Sequence, residues 1–226
     1  MKNKTLAEKA AQELLKFIQD KNMVEGEKLP NEYELSNQLG VGRNTVREAV
    51  RILASRNILK IKQGAGTFIS DKPGMVEDPL GFLFMEDRRK LVSDLMQVRL
   101  IVEPAIAALA AQNATEEDHR QLTRICQEIE NLIFEGKDFS EKDRAFHSKL
   151  AESTQNLVMK NLIPVICQGV RVFSTTVSAQ EYKQTIETHR KILQAVKERR
   201  GVDAEQAMSY HLLYNIQRFQ KEEDLT

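Results

Sequence analysis

Four side chains in the second half of the 226-residue chain have the types and spacing of a metal centre. Asp143 and His147 stand one helical turn apart, in a stripe shared with Phe139, Phe146 and Leu150. His189 and His211 follow on two later helical stretches on either side of Arg200-Gly201. If that turn folds the two stretches antiparallel, His189 lies 11 residues before Arg200 and His211 7 after Ala204. At ~1.5 Å per residue, both rings then sit within about one turn of the same height. One carboxylate and three imidazoles from three helices suit a divalent transition metal with open positions. Zinc is the default, and nickel or manganese would accept the same ligands. A lone histidine is more often a hydrogen-bonded core residue. His119, in a first turn after Thr115-Glu116-Glu117-Asp118, has no spaced partner and is read that way.

Arg99 is the next residue with chemistry to offer. It interrupts the stripe Val92, Leu95, Val102, Ile106 and Leu109, and a guanidinium facing a core must meet an anion. Glu103, one turn on, is one partner; a bound carboxylate, gripped bidentately, is the other. Asn161, Gln168 and Thr175 recur every seven residues on a nearly all-apolar helix. They line a pocket and read hydroxyl groups, or they form a polar seam between helices; Asn161 and Gln168 are the pocket candidates.

A different chemistry sits near the start. Residues 43–62 carry six basic side chains (Arg43, Arg47, Arg51, Arg56, Lys60, Lys62) against one acidic, Glu48. The whole chain has 33 of each sign, but residues 1–70 hold 12 basic against 8 acidic. Affinity for DNA scales with the phosphates neutralised locally, so a neutral average does not exclude it.

The elements that must position these residues follow from periodicity. Thr5 with Glu8 and Asn31 with Glu34 make capping boxes, and Gly40 stops the second helix. A third helix spans about 43–55 with Val46, Ala49, Val50 and Leu53 inward. Ile58–Ile61 and Thr67–Ile69 alternate as strands around Gln63-Gly64-Ala65-Gly66. Two short helices around Gly40-Val41-Gly42 have helix-turn-helix spacing, and the second presents Arg43, Asn44, Thr45 and Arg47 to a major groove. Arg pairs bidentately with guanine and Asn with adenine. A polar stretch at 72–77 reads as a linker between a domain over 1–71 and another over 78–226. Beyond it only helical patterns appear, at about 78–85, 88–112, 116–135, 140–153, 157–177, 181–200 and 204–222. Thr115, Asp138 and Asp203 read as caps, Gly136 and Gly201 as stops. The fold class is mainly α: an N-terminal winged helix-turn-helix plus an antiparallel helical bundle.

Hydrophobic residues at 41% and charged at 29% exclude a disordered chain. No apolar run approaches the ~18 residues of a membrane span, and the start has no leader pattern. Cys126 and Cys167 fall in apolar helical patterns, as reduced buried thiols do. A cytoplasmic protein is expected.

The segments Leu29-Pro30-Asn31-Glu32-Tyr33-Glu34-Leu35, Leu39-Gly40-Val41-Gly42-Arg43-Asn44-Thr45-Val46-Arg47-Glu48-Ala49 and Gln63-Gly64-Ala65-Gly66-Thr67-Phe68 closely resemble the GntR-family winged helix. The resemblance implies DNA contacts from Arg43, Asn44, Thr45, Arg47 and the wing-tip Gly64. Tyr33 departs from it where many members carry arginine, and Gly42 where a serine or threonine cap is usual. Asp143-Arg144-Ala145-Phe146-His147, Glu187-Thr188-His189-Arg190-Lys191-Ile192 and the late His211 resemble the FadR-type effector domain (FCD). That resemblance implies a metal on Asp143, His147, His189 and His211, and an effector carboxylate on Arg99. The expected function is a homodimeric repressor of double-stranded operator DNA, controlled by a small hydroxy acid or sugar acid. Two alternatives are a metal-dependent enzyme and a direct metal sensor. Against an enzyme, there is no HExxH motif, no general base beside the metal and no glycine lid.

Overall fold

The computed structural model describes residues 4–71, 73–76, 78–173 and 179–223, with the side chains at 168, 170–173, 179–182 and 221–223 outside the description. Two compact units divide the chain, Met1–Leu80 and Gly81–Thr226.

In the first unit, α1 (Leu6–Asp20), α2 (Glu32–Leu39) and α3 (Arg43–Ser55) precede strands β1 (Leu59–Lys62) and β2 (Gly66–Ile69). Both capping boxes form: Thr5 Oγ1 accepts from the Glu8 amide and Asn31 Oδ1 from the Glu34 amide, each glutamate reaching back to the cap. These bonds satisfy amides that the first helical turn would otherwise leave unpaired. The apolar faces meet in one core around Leu14, Leu35, Val46, Ala49, Leu53 and Leu59. The Ser36 hydroxyl donates to the Val41 carbonyl and ties the turn between α2 and α3. Strands β1 and β2 pair antiparallel from Leu59 opposite Ile69 to Lys62 opposite Gly66, and Lys28 bridges to Phe68 on the other side.

The second unit is built from α4 (Arg88–Asn113), α5 (Glu116–Phe134), α6 (Ser140–Ser153), α7 (Leu157–Phe173), α8 (Ala179–Lys197) and α9 (Gly201–Glu223). Their buried faces share a single apolar cluster that includes Ile106, Leu122, Ile129, Phe146, Leu150, Ile163, Ile192 and Met208. A Cβ on Gly169 would lie 2.7 Å from Leu95 Cδ1 and 2.9 Å from the Phe82 ring, so only glycine lets α7 approach α4 this closely.

Four expectations need correction. The segment 78–85 is no helix; it holds a three-residue 3-10 turn at Phe82–Phe84, entered through Gly81 at φ 69°. Gly201 opens α9, and the preceding helix ends through Arg199 in the left-handed region at φ 57°. Asp203 therefore lies in the first turn of α9, paired with Arg200, rather than capping it. Asp138 accepts from the Ser140 amide, but the residue at the cap position of α6 is Phe139. Thr115 does cap α5, through a box closed by Asp118. Among the described residues no helix is long and apolar enough to cross a membrane.

Candidate metal centre and DNA-reading face

Three helices deliver the proposed ligands to one point. Asp143 and His147 come from α6, His189 from α8 and His211 from α9, and one potential ligand atom from each lies within 4.8 Å of the others. The three histidines are 1–2% exposed. The ring centroids of His189 and His211 are 4.7 Å apart, and His147 lies 5.3 Å from His211 and 5.9 Å from His189.

The surrounding bonds assign which nitrogen two of the three rings offer. Glu103 Oε2 accepts from the Nδ1–H of His147, leaving Nε2 buried without a hydrogen bond, 3.8 Å from Asp143 Oδ2. The Thr188 hydroxyl has one proton and gives it to backbone carbonyls of α8, so it accepts from His211 Nδ1 at 2.9 Å. His211 Nε2 is then an acceptor, 3.1 Å from the Asn215 amide. Outer partners of this kind hold metal-ligating histidines in the ligating tautomer. His189 Nε2 is 3.2 Å from Asp143 Oδ1, and neither of its ring nitrogens makes a hydrogen bond.

Electrostatics agree with a ligand set. Burial, then the neighbouring imidazoles, pushes His211 well below its ordinary value, and burial also lowers His189 despite Asp143. Both are thus neutral, the form that ligates. Burial alone would raise the Asp143 carboxyl, but His189 and the other two imidazoles hold it below the usual carboxylate range. Ligand atoms at ~2.1 Å from one tetrahedral ion are about 3.4 Å apart, so inward shifts of the side chains complete the cage. Orphaned buried nitrogens around one carboxylate are the fit expected for a divalent cation.

Arg99, 4% exposed, meets the first of its two expected partners, Glu103. Its Nε donates to Glu103 Oε1 at 2.6 Å, while its Nη2 is buried without a partner. Burial pushes the Glu103 carboxyl up, but Arg99 and His147 override it and hold it at about 2. Glu103 is the residue that sequence reasoning missed as a metal-site member. It clamps Arg99 with one oxygen and His147 with the other, and the only signal was its place one turn after Arg99. A cavity of about 120 Å³ has Arg99, Asp143, Cys167 and His211 in its lining. Asn161 is exposed and outside that lining, so the pocket role expected for it is not carried further. The side chain of Gln168, and Thr175 altogether, lie outside the described residues. Cys126 and Cys167 are free and buried; burial pushes the Cys126 thiol up to about 12 and raises that of Cys167 as well. His119 is buried, with Nδ1 3.6 Å from Glu116.

On the first unit, Arg43, Asn44 and Arg47 are exposed and Thr45 half-buried at the start of α3, whose opposite face is buried through Val46, Ala49, Val50 and Leu53. The cap position, Gly42, makes no side-chain bond. Arg43 lies over the Tyr33 ring at 6.0 Å, so the unusual tyrosine touches the recognition helix. Arg47 is held by Glu32 through paired bonds of 3.0 and 2.7 Å, a contact that spacing did not reveal. Gly64, at φ 73°, turns the wing tip, and no atom lies within 4 Å of where its Cβ would be.

A recognition helix with a glycine-tipped wing, on a chain whose other unit is a sensing bundle, defines a DNA-binding transcription regulator, not an enzyme. The chain belongs to the bacterial regulatory proteins of the GntR family: that family's model matches residues 6–69 and the FCD domain model matches 94–214. It is 31% identical to the galactonate operon transcriptional repressor of Escherichia coli over 191 residues, 81% of this chain and 83% of that one. To the Uxu operon regulator of Haemophilus influenzae it is 30% identical over 194 residues, 83% of this chain and 71% of the relative. A solved GntR structure from Streptococcus agalactiae superposes with a TM-score of 0.86 at 40% identity, covering 94% of this chain and 99% of that one.

Proposed function

We propose that this regulator is a cytoplasmic repressor whose hold on double-stranded operator DNA is controlled by a small organic acid, a hydroxy acid or sugar acid, at a divalent metal in the FCD domain. The observation that carries the reading is the orphaned Arg99 Nη2, buried beside a cavity that Asp143 and His211 also line. Asp143, His147, His189 and His211 would hold the ion, zinc by default, with nickel or manganese also suited to the set. When bound, it supplies a Lewis-acid grip on a carboxylate and a neighbouring hydroxyl. Arg99 orients that carboxylate, and Glu103 keeps Arg99 and His147 in place. The sugar acid in the name of the Escherichia coli relative supports the ligand class. Arg43, Asn44, Thr45, Arg47 and Gly64 are the residues we assign to DNA.

We assign the working form as a homodimer. Helix-turn-helix proteins read paired half-sites about one turn apart. Helices α4 and α7, which pack together, leave Ile101, Leu157 and Val158 more than two-thirds exposed, an apolar surface suited to a second copy. Sedimentation of Ile101→Asp against the parent reads this directly, and an unaltered dimer would place the interface elsewhere.

Arg99→Met tests the anchoring role, since it keeps the apolar stem and removes the charge. The variant should fold, bind zinc and bind operator, while calorimetry shows acid affinity lower by on the order of 10-fold or more. Acid binding equal to the parent's would assign Arg99 to Glu103 alone.

A further inference from the structure

The cavity beside the metal residues has a second cationic wall. Besides Arg99, Asp143 and His211, its lining includes Asn215 and Arg218 of α9. His211, Asn215 and Arg218 fall at i, i+4 and i+7, so one face of α9 runs from the metal residues along the cavity. Arg218 stands ~10 Å beyond His211 along the helix axis, but long helical side chains lean back toward the N-terminus, over Asn215. The cavity's other arginines each have a carboxylate: Glu103 takes Arg99 Nε, and Glu141 takes Arg144 Nη2. Arg218 has none among the described residues, and its Nε is buried without a hydrogen-bond partner. Asp138 also lines the cavity, but its Oδ1 caps the Ser140 amide. Asn215 and Arg218 lie just beyond residues 94–214, the stretch that matches the FCD model.

We propose that Arg218, with Asn215, forms a second anion subsite and that the effector is a short dicarboxylic 2-hydroxy acid. One carboxylate and the hydroxyl group lie at Arg99 and the metal residues, and the far carboxylate lies at Arg218. This rests on reading the cavity as the effector site. The size sets the limit: a cavity of about 150 Å³ holds benzene, so this one of about 120 Å³ favours the shortest diacids, of roughly three or four carbons. A monocarboxylate would leave Arg218 without a hydrogen-bonded carboxylate of its own in a partly desolvated wall.

Calorimetry on the zinc-loaded full-length chain tests it, with tartronate and malate set against lactate and glycerate. The diacids should bind on the order of 10- to 100-fold more tightly. Arg218→Gln should remove most of that margin, and Arg218→Lys should keep part of it. Lactate binding that depends on Arg99, with no gain for malate or tartronate, overturns the second subsite and leaves the effector site standing. An equal loss for diacids and monoacids in Arg218→Gln also overturns it, by showing a structural role. Zinc-loaded protein that binds none of the four acids overturns both readings.

Discussion

Arg47 enters DNA binding already partnered. Its guanidinium lies on Glu32, and both side chains are about half exposed, so phosphate competes with a screened carboxylate rather than with water alone. With Arg47 assigned to phosphate, Arg47→Ala should weaken operator and random duplex alike and lower the salt slope by about one unit. Arg43, on the first turn and against Tyr33, is the residue we assign to base edges. Arg43→Ala should cost about 1–3 kcal/mol against the cognate site and little elsewhere. Full operator affinity in both variants near physiological salt would contradict the assignment of α3. At this scale the Asp/His cluster was legible because an i, i+4 Asp–His pair in an apolar stripe is visible on one helix. The Glu103 bridge was not, because it joins α4 to α6 and exists only once those helices pack. Nor was Arg218, which carries no motif and gains meaning from the cavity it borders.

Among the elements, α5 shows how a cap and a buried pair combine. Asp118 closes the box with Thr115 and also meets Lys149 of α6 at 2.7 Å, both residues being under 10% exposed. Burial alone would push the Asp118 carboxyl up, but Lys149 and the Thr115 bonds hold it below its ordinary value. A depressed folded value means that this stability is present above the unfolded value near 4 and is lost as pH falls through the folded one. Asp118→Asn should cost about 3 kcal/mol at pH 7, because Lys149 loses its main buried partner, and should flatten the loss of stability below about pH 4. Lys149→Met, which removes the buried ammonium and leaves the cap intact, should cost less. Denaturant melts at pH 7 and pH 3 check both, and equal losses would show that the pair does not act as drawn. Capping boxes made the starts of α1 and α2 readable from sequence, and Thr115 as a cap made that of α5 readable. The 78–85 segment misled because Phe82, Leu83 and Phe84 supply apolar residues without the length of a helix. Arg199 could not be foreseen as a stop, since a left-handed arginine follows from local packing and bonds, such as the one from its Nη1 to the Gln112 carbonyl.

For the whole molecule, chemistry is divided between two units. The first carries the basic excess and the recognition helix; the second has buried histidines and a cavity, and the remaining charge leans acidic. That division was legible from charge asymmetry and the change from strand to purely helical pattern. The central claim is that an acid held at a metal in the second unit governs the DNA affinity of the first. The direct measurement is fluorescence anisotropy of an operator duplex, selected from random sequence by the protein itself. It is titrated with full-length chain, zinc-loaded or chelated, with and without malate, lactate or galactonate. With zinc present, at least one acid should shift the binding midpoint by on the order of 10-fold, the size of a typical allosteric coupling. After chelation the same acid should have no effect. An acid response that survives chelation, or a midpoint that zinc alone moves and no acid changes, would contradict the account.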